Sequence, residues 1–108
     1  MIGRAIDELS LGDSAELSRL VSERDIAEFV DAVGDHNPVH SDPVFAAATP
    51  FRDPIAPGIW TAGLISGVIG TRLPGPGSIY VTQDLQFLKP VRAGDTITAR
   101  VEVVEIVR

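Results

Sequence analysis

The sequence holds two histidines, His36 and His40, and both fall in one short stretch, Gly34-Asp35-His36-Asn37-Pro38-Val39-His40-Ser41-Asp42-Pro43. Asp35 and His40 stand five apart with Pro38 between them. On a continuous helix, at about 100° per residue, they would point about 140° apart. A loop bent by proline lets them converge. A carboxylate beside an imidazole is an acid–base pair, one group taking a proton near neutral pH while the other gives or orients one. The plainer reading is that Asp35 satisfies loop amides and His40 is an ordinary, partly buried side chain. On spacing alone both readings stay open.

Other residues with chemistry to offer are few. Pro57-Gly58 stands directly before an apolar segment of helical character. The first N–H groups of a helix lack intrahelical partners, and the dipole there favours negative charge. Glycine lets a ligand approach the backbone closely. Gly58 can therefore stabilise a developing oxyanion, or it can be a simple helix-entry residue. Ser66, further along the segment, reads either as a site hydroxyl or as a buried one bonded to its own backbone. Asp35, Asn37, His40 and Asp42 open like a calcium loop. However, Val39 occupies the third acidic position, His40 replaces the required glycine, and Ala46 stands where the bidentate glutamate belongs. No metal is expected. The absence of cysteine removes disulfides, thiolate sites and a cysteine nucleophile, and no Gly-x-Ser-x-Gly elbow is present.

These residues must be held by the elements around them. Ser22 with Asp25 three residues on matches a capping box, and Ile26, Phe29, Val30 and Val33 recur at helical spacing up to Gly34. Asp42-Pro43 reads as cap and first position of a short helix over Val44–Thr49. Ile59–Arg72 is apolar or small on every side, which predicts a helix buried all round, with Gly63, Gly67 and Gly70 allowing tight packing. Ahead of the first helix, Ala15–Leu20 suggests an edge strand. After the turn at Leu73-Pro74-Gly75-Pro76-Gly77, Ile79, Val81, Leu85 and Phe87 alternate as one face of a strand. Gly94-Asp95 is a turn, and Ile97, Ala99, Val101 and Val103 alternate again, slipping at Val104 and Ile106 as a bulge would cause. The layout is α+β, one domain with an antiparallel sheet curling round a central buried helix. A strong strand running to Arg108 with nothing beyond it to pair suggests truncation, or a partner that supplies the missing strand.

With 108 residues, the chain suits one small domain, and 44% hydrophobic content suits a packed core. A net charge of −6 argues against nucleic acid, which needs a basic surface. The apolar run Ile59–Gly70 is too short for a bilayer. With no apolar signal region at its start, the chain is expected in the cytoplasm.

The run Gly34–Asp42 with Phe45-Ala46 resembles the hydratase motif of MaoC-like (R)-specific enoyl-CoA hydratases. So do Pro54-Ile55-Ala56-Pro57-Gly58, Leu73-Pro74-Gly75-Pro76-Gly77-Ser78-Ile79-Tyr80, and Phe87-Leu88-Lys89-Pro90-Val91 with Gly94-Asp95. That resemblance implies a hot-dog fold, paired into homodimers, whose substrate is an acyl-CoA or acyl-carrier-protein thioester, with no separate cofactor. It implies Asp35 and His40 as the catalytic dyad for syn addition of water, and Gly58 N–H as the group polarising the thioester carbonyl. Ser66 would help position the water or the histidine, and Asn37 would help arrange the loop. Two departures stand out. Pro57 occupies a position where relatives carry a histidine, and the family's sheet continues about two strands past the point matching Arg108. A non-catalytic acyl-binding domain, the inert half of a heterodimer, and the amino-terminal domain of a phosphate acyltransferase fusion are the alternatives. Trp60 and Leu64 are candidates to line the acyl pocket, and Arg52, Arg72, Lys89 and Arg92 are the cations near the motifs.

Overall fold

A computed structural model describes residues 2–108. It divides into two compact units, one comprising the chain up to Ser18 with Ala62–Asp84 and Thr98–Arg108, the other Arg19–Thr61 with Leu85–Ile97. Four main elements follow a short 3-10 turn at Ile6–Glu8 and precede the last strand: β1 (Ser14–Leu20), α1 (Glu23–Val33), α2 (Pro43–Ala47) and α3 (Gly58–Thr71), with β2 at Thr96–Glu102. A second 3-10 turn, Pro38–His40, lies between α1 and α2.

In the second unit α1 starts where the capping box predicts. The Ser22 hydroxyl accepts the Asp25 N–H at 3.0 Å and the Asp25 carboxylate accepts the Ser22 N–H at 3.1 Å, satisfying two otherwise orphaned donors. Arg19 bonds the same carboxylate. The Arg19 guanidinium, and after it the Ser22 backbone N–H, lowers the Asp25 carboxyl from 3.8 to about 2. Gly34 ends the helix at φ 77°, a left-handed angle that glycine adopts without a Cβ penalty. Ile26 and Val30 on the inner face of α1 pack with Val21 and Ala56, and Trp60, Val91 and Ile97 close over them. Each such aliphatic side chain, fully buried, contributes roughly 1.5–3 kcal/mol. Val33, expected on that face, is exposed because the helix ends there.

β1 and β2 form a two-stranded sheet, and the pairing is antiparallel. In the first unit Gly12 N–H bonds Val103 O and Val103 N–H bonds Asp13 O, both at 2.8 Å. In the second, Val21 N–H reaches Asp95 O and Gly94 N–H reaches Val21 O, also at 2.8 Å. Also in the first unit, Gly3 and Arg4 N–H groups bond the carbonyls of Pro76 and Pro74, tying the amino-terminal segment to the turn after α3.

Several expectations need correction. The alternating segment 79–88 forms no strand, and Ile79, Val81 and Leu88 are 82%, 84% and 78% exposed. An alternating pattern makes a segment ready to pair, but a strand exists only where a neighbour's N–H and C=O groups meet it. β2 ends at Glu102 and its pairing goes no further than the bonds of Val103 to Gly12 and Asp13, so no bulged strand continues through Val104 and Ile106. α2 runs Pro43–Ala47, not to Thr49, because Ala48 and Thr49 tighten into i→i+3 bonds. Only Ala62 and Val68 of α3 are buried, so the helix is apolar all round without being covered all round. A Cβ at Gly63, Gly67 or Gly70 would meet no atom within 4 Å, which removes tight packing as the reason for those glycines.

Candidate active site

The loop after α1 is built by its own side chains. Asn37 accepts the Val39 N–H at 3.1 Å and so caps the Pro38–His40 turn, while His40 N–H bonds Asn37 O at 3.0 Å. Asp42 accepts the Val44 and Phe45 N–H groups at 2.9 and 3.3 Å, starting α2 on Pro43. With both ends capped, the turn holds His40 facing back toward Asp35. The separation between Asp35 Oδ2 and His40 Nε2 is 3.3 Å.

A second segment fixes the imidazole. His40 Nδ1 lies 2.8 Å from Ile55 O, and Ile55 N–H bonds Val39 O at 3.1 Å. A carbonyl can only accept, so Nδ1 carries a proton and donates it. With Nδ1 so engaged, Nε2 is the ring atom left to face Asp35 Oδ2: without a proton it offers a lone pair, and with one it donates to the carboxylate. A carboxylate oxygen beside such a nitrogen is a site for a proton, or for a molecule with hydrogens to donate, such as water. The His40 side chain is 10% exposed and that of Asp35 is 40% exposed, so the pair is reached from the Asp35 side. The Asp35 Oδ1 atom accepts the Asn37 N–H over a long 3.4 Å. The loop-amide role of Asp35 is thus real but weak, and it leaves the other oxygen for His40.

The Pro54–Pro57 strap that anchors His40 leads straight into α3. Ala56 N–H bonds Val91 O at 2.7 Å, and Pro57 is fully buried. Among the described residues no protein acceptor takes the Gly58 N–H, and Trp60 N–H turns back to Pro57 O at 3.0 Å. Pro57 supplies no side-chain hydrogen bond at the entry to α3.

Two cavities flank the strap. His40 lines one of about 660 Å³ together with Ile26, Ala27, Val30, Pro54 and Arg92, and the carboxylates of Glu23, Asp31 and Asp53 also border it. Gly58 lines the other, about 290 Å³, whose walls include Phe51, Ile55, Phe87, Leu88 and Val91, with Lys89 also present. Trp60 belongs to the core cluster, and neither Trp60 nor Leu64 lines either cavity. Ser66 falls in the first unit, exposed on α3 and with its hydroxyl unbonded among the described residues, so it is not the buried, self-bonded hydroxyl expected of a packing serine. Of the expected site residues the second unit thus holds Asp35, Asn37, His40 and Gly58, but His40 and Gly58 line different cavities, and Asp35 and Asn37 line neither. Among the described residues no three His, Cys, Asp or Glu side chains gather as a metal-binding group.

Sequence reasoning missed the Ile55 carbonyl and the contact of Phe87 with Gly58, while Arg92, one of the four cations near the motifs, bonds Phe51 O through its guanidinium at 2.7 Å and lines the His40 cavity. Ile55 and Phe87 both lie inside motif blocks, so their presence was visible although their roles were not. Backbone partners fifteen residues apart leave no periodic trace.

An α+β chain with a loop-borne carboxylate–imidazole pair and a helix amino end close by in sequence defines a class with acid–base chemistry at its disposal. The family described as MaoC like domain matches residues 11–108. A 3-hydroxybutyryl-CoA dehydratase from Methylorubrum extorquens is 48% identical over 101 residues, covering 94% of this chain and 64% of that protein. A (R)-specific enoyl-CoA hydratase from Rhodospirillum rubrum is 48% identical over 101 residues, covering 94% of this chain and 70% of its own length. Among solved structures, an unliganded R-hydratase from Pseudomonas aeruginosa matches with a TM-score of 0.88 at 44% identity, over 95% of this chain and 66% of that one. The chain belongs to the MaoC-like family and has its hot-dog fold. It spans 64% of the length of the dehydratase relative.

Proposed function

We propose that the protein adds water to a trans-2-enoyl thioester, giving the (R)-3-hydroxyacyl thioester, or runs the reverse dehydration. The observation that carries this reading is the 3.3 Å approach of Asp35 Oδ2 to His40 Nε2, with Nδ1 already committed to Ile55 O. A water seated between the two donates one hydrogen to each. As its oxygen attacks C3, its proton passes to His40 Nε2, and the electron pair of the double bond moves toward the thioester oxygen. Gly58 N–H, without a protein acceptor among the described residues and at the positive end of α3, stabilises that charge. The imidazolium then returns the proton to C2 and becomes neutral again, so water is added across the bond with nothing left over. Asp35 orients the water and offsets the charge on the imidazolium while it lasts. Asn37 acts by holding the Pro38–His40 turn.

The acyl carrier is coenzyme A, with an acyl-carrier-protein thioester as the other choice, and the chain works in the cytoplasm as a homodimer. Among the described residues no helix is long and apolar enough to cross a membrane. The segment 79–88, which forms no strand and carries exposed apolar side chains, supports association. Crotonyl-CoA tests the reading: the conjugated thioester absorbance should fall on adding the protein, with (R)-3-hydroxybutyryl-CoA as product. Binding of crotonyl-CoA without turnover would instead make this a non-catalytic acyl-binding domain.

A further inference from the structure

A side chain that the sequence motifs assign no role sits against the proposed carbonyl-binding amide. A Cβ built on Gly58 would lie 2.8 Å from Phe87 Cδ1, 2.9 Å from Cε1 and 3.1 Å from Cγ. One side of the ring therefore covers the Gly58 α-carbon directly. Phe87 is not a core residue, since 59% of it remains exposed. Yet its segment is held in place nearby, where Val91 O accepts the Ala56 N–H at 2.7 Å. The ring also forms part of the 290 Å³ cavity that Gly58 lines, beside the apolar walls of Phe51, Ile55, Leu88 and Val91. The His40 cavity is larger, about 660 Å³, and mixes apolar Ile26, Ala27, Val30 and Pro54 with the carboxylates of Glu23, Asp31 and Asp53, but it does not include Gly58.

We infer that Phe87 is a specificity-determining residue: its ring closes the apolar cavity beside Gly58 and sets the length of acyl chain that can extend there from the bound thioester carbonyl. This inference rests on the hydratase reading. Small-molecule sites usually occupy about 300–1,000 Å³, so a cavity of 290 Å³ suits a short acyl group. Each methylene that a pocket admits or refuses changes kcat/KM by roughly 10–200-fold. A ring that stops the chain is therefore a strong discriminator, and removing it should relax the preference.

The experiment compares kcat/KM for crotonyl-CoA and trans-2-octenoyl-CoA in the full chain and in Phe87→Ala, with far-ultraviolet circular dichroism to establish folding. The parent should prefer crotonyl-CoA, and Phe87→Ala should raise the octenoyl-to-crotonyl ratio about tenfold or more. An unchanged ratio in a folded, active variant would overturn the inference, and so would a parent that already turns over the longer substrate as well. If Phe87→Ala does not fold, Phe87→Leu carries the test, because leucine keeps apolar bulk over Gly58 but gives up the reach of the ring. It should raise the ratio by a smaller factor, and no rise would again overturn the inference. A parent with no hydration of either substrate would count against the hydratase reading itself, and a ratio that fails to move in an active enzyme counts against Phe87 alone.

Discussion

At the scale of single residues, the site depends on which atoms are already spoken for. His40 Nδ1 is committed to Ile55 O, so its chemistry is confined to Nε2, and Asp35 is the group that Nε2 faces. Gly58 is constrained as tightly, because only a hydrogen fits between its α-carbon and the Phe87 ring. Gly58→Ala should force the ring aside, costing about 1–3 kcal/mol of stability as overpacking does. It should also depress kcat by moving the amide. A thermal melt and a turnover assay on the same preparation check both, and an unaltered melting temperature would show that the ring yields freely. Residue type and the proline between them made Asp35 and His40 candidates, and only the motif resemblance singled them out as a pair. Neither showed the third partner, since nothing in the identity of Ile55 marks its carbonyl as the one that orients a histidine. Arg52, at φ 71°, was equally invisible, because a left-handed angle at a residue other than glycine carries no sequence mark.

Local signals served the elements well and non-local ones badly. Ser22, Asp25 and Gly34 each act through atoms a few residues away, so the bounds of α1 could be read directly. The strand expected over Ile79–Phe87 failed for the opposite reason, since its alternation says only that it could pair. For α3, composition shows that no face is polar, but it does not show which faces other elements reach. The start of α1 carries its own pH dependence. Arg19 holds the Asp25 carboxyl at about 2 in the folded chain, below the ordinary 3.8. Folding therefore favours the ionised form. That stabilisation is fully present above the ordinary value and is lost as pH falls from about 3.8 through about 2. Asp25→Asn should melt earlier than the parent at pH 6, and the gap should close as the pH approaches 2. A gap independent of pH would mean that the carboxylate charge contributes nothing.

At the scale of the whole chain, Ile79, Val81, Val104 and Val107 are each more than three-quarters exposed. Scattered apolar residues are ordinary on a surface. Backbone that carries them without a pairing neighbour is open to pairing, as the proposed homodimer requires. Sedimentation equilibrium should give twice the mass of one chain, and Val81→Lys should shift the population toward monomer by placing a charge where apolar contact is expected. A parent that stays monomeric at micromolar concentration would contradict the homodimer. The hot-dog fold itself was legible only through the ordered motif blocks, because pattern and spacing alone led no further than α+β.

Everything proposed for catalysis passes through the contact between Asp35 and His40, and the most direct test is steady-state hydration of crotonyl-CoA by Asp35→Asn and His40→Gln. Each variant should keep the parent's circular dichroism spectrum and lose about 10²–10⁴ in kcat, the usual contribution of a positioned acid–base group. Turnover within a few-fold of the parent in either folded variant would contradict the account.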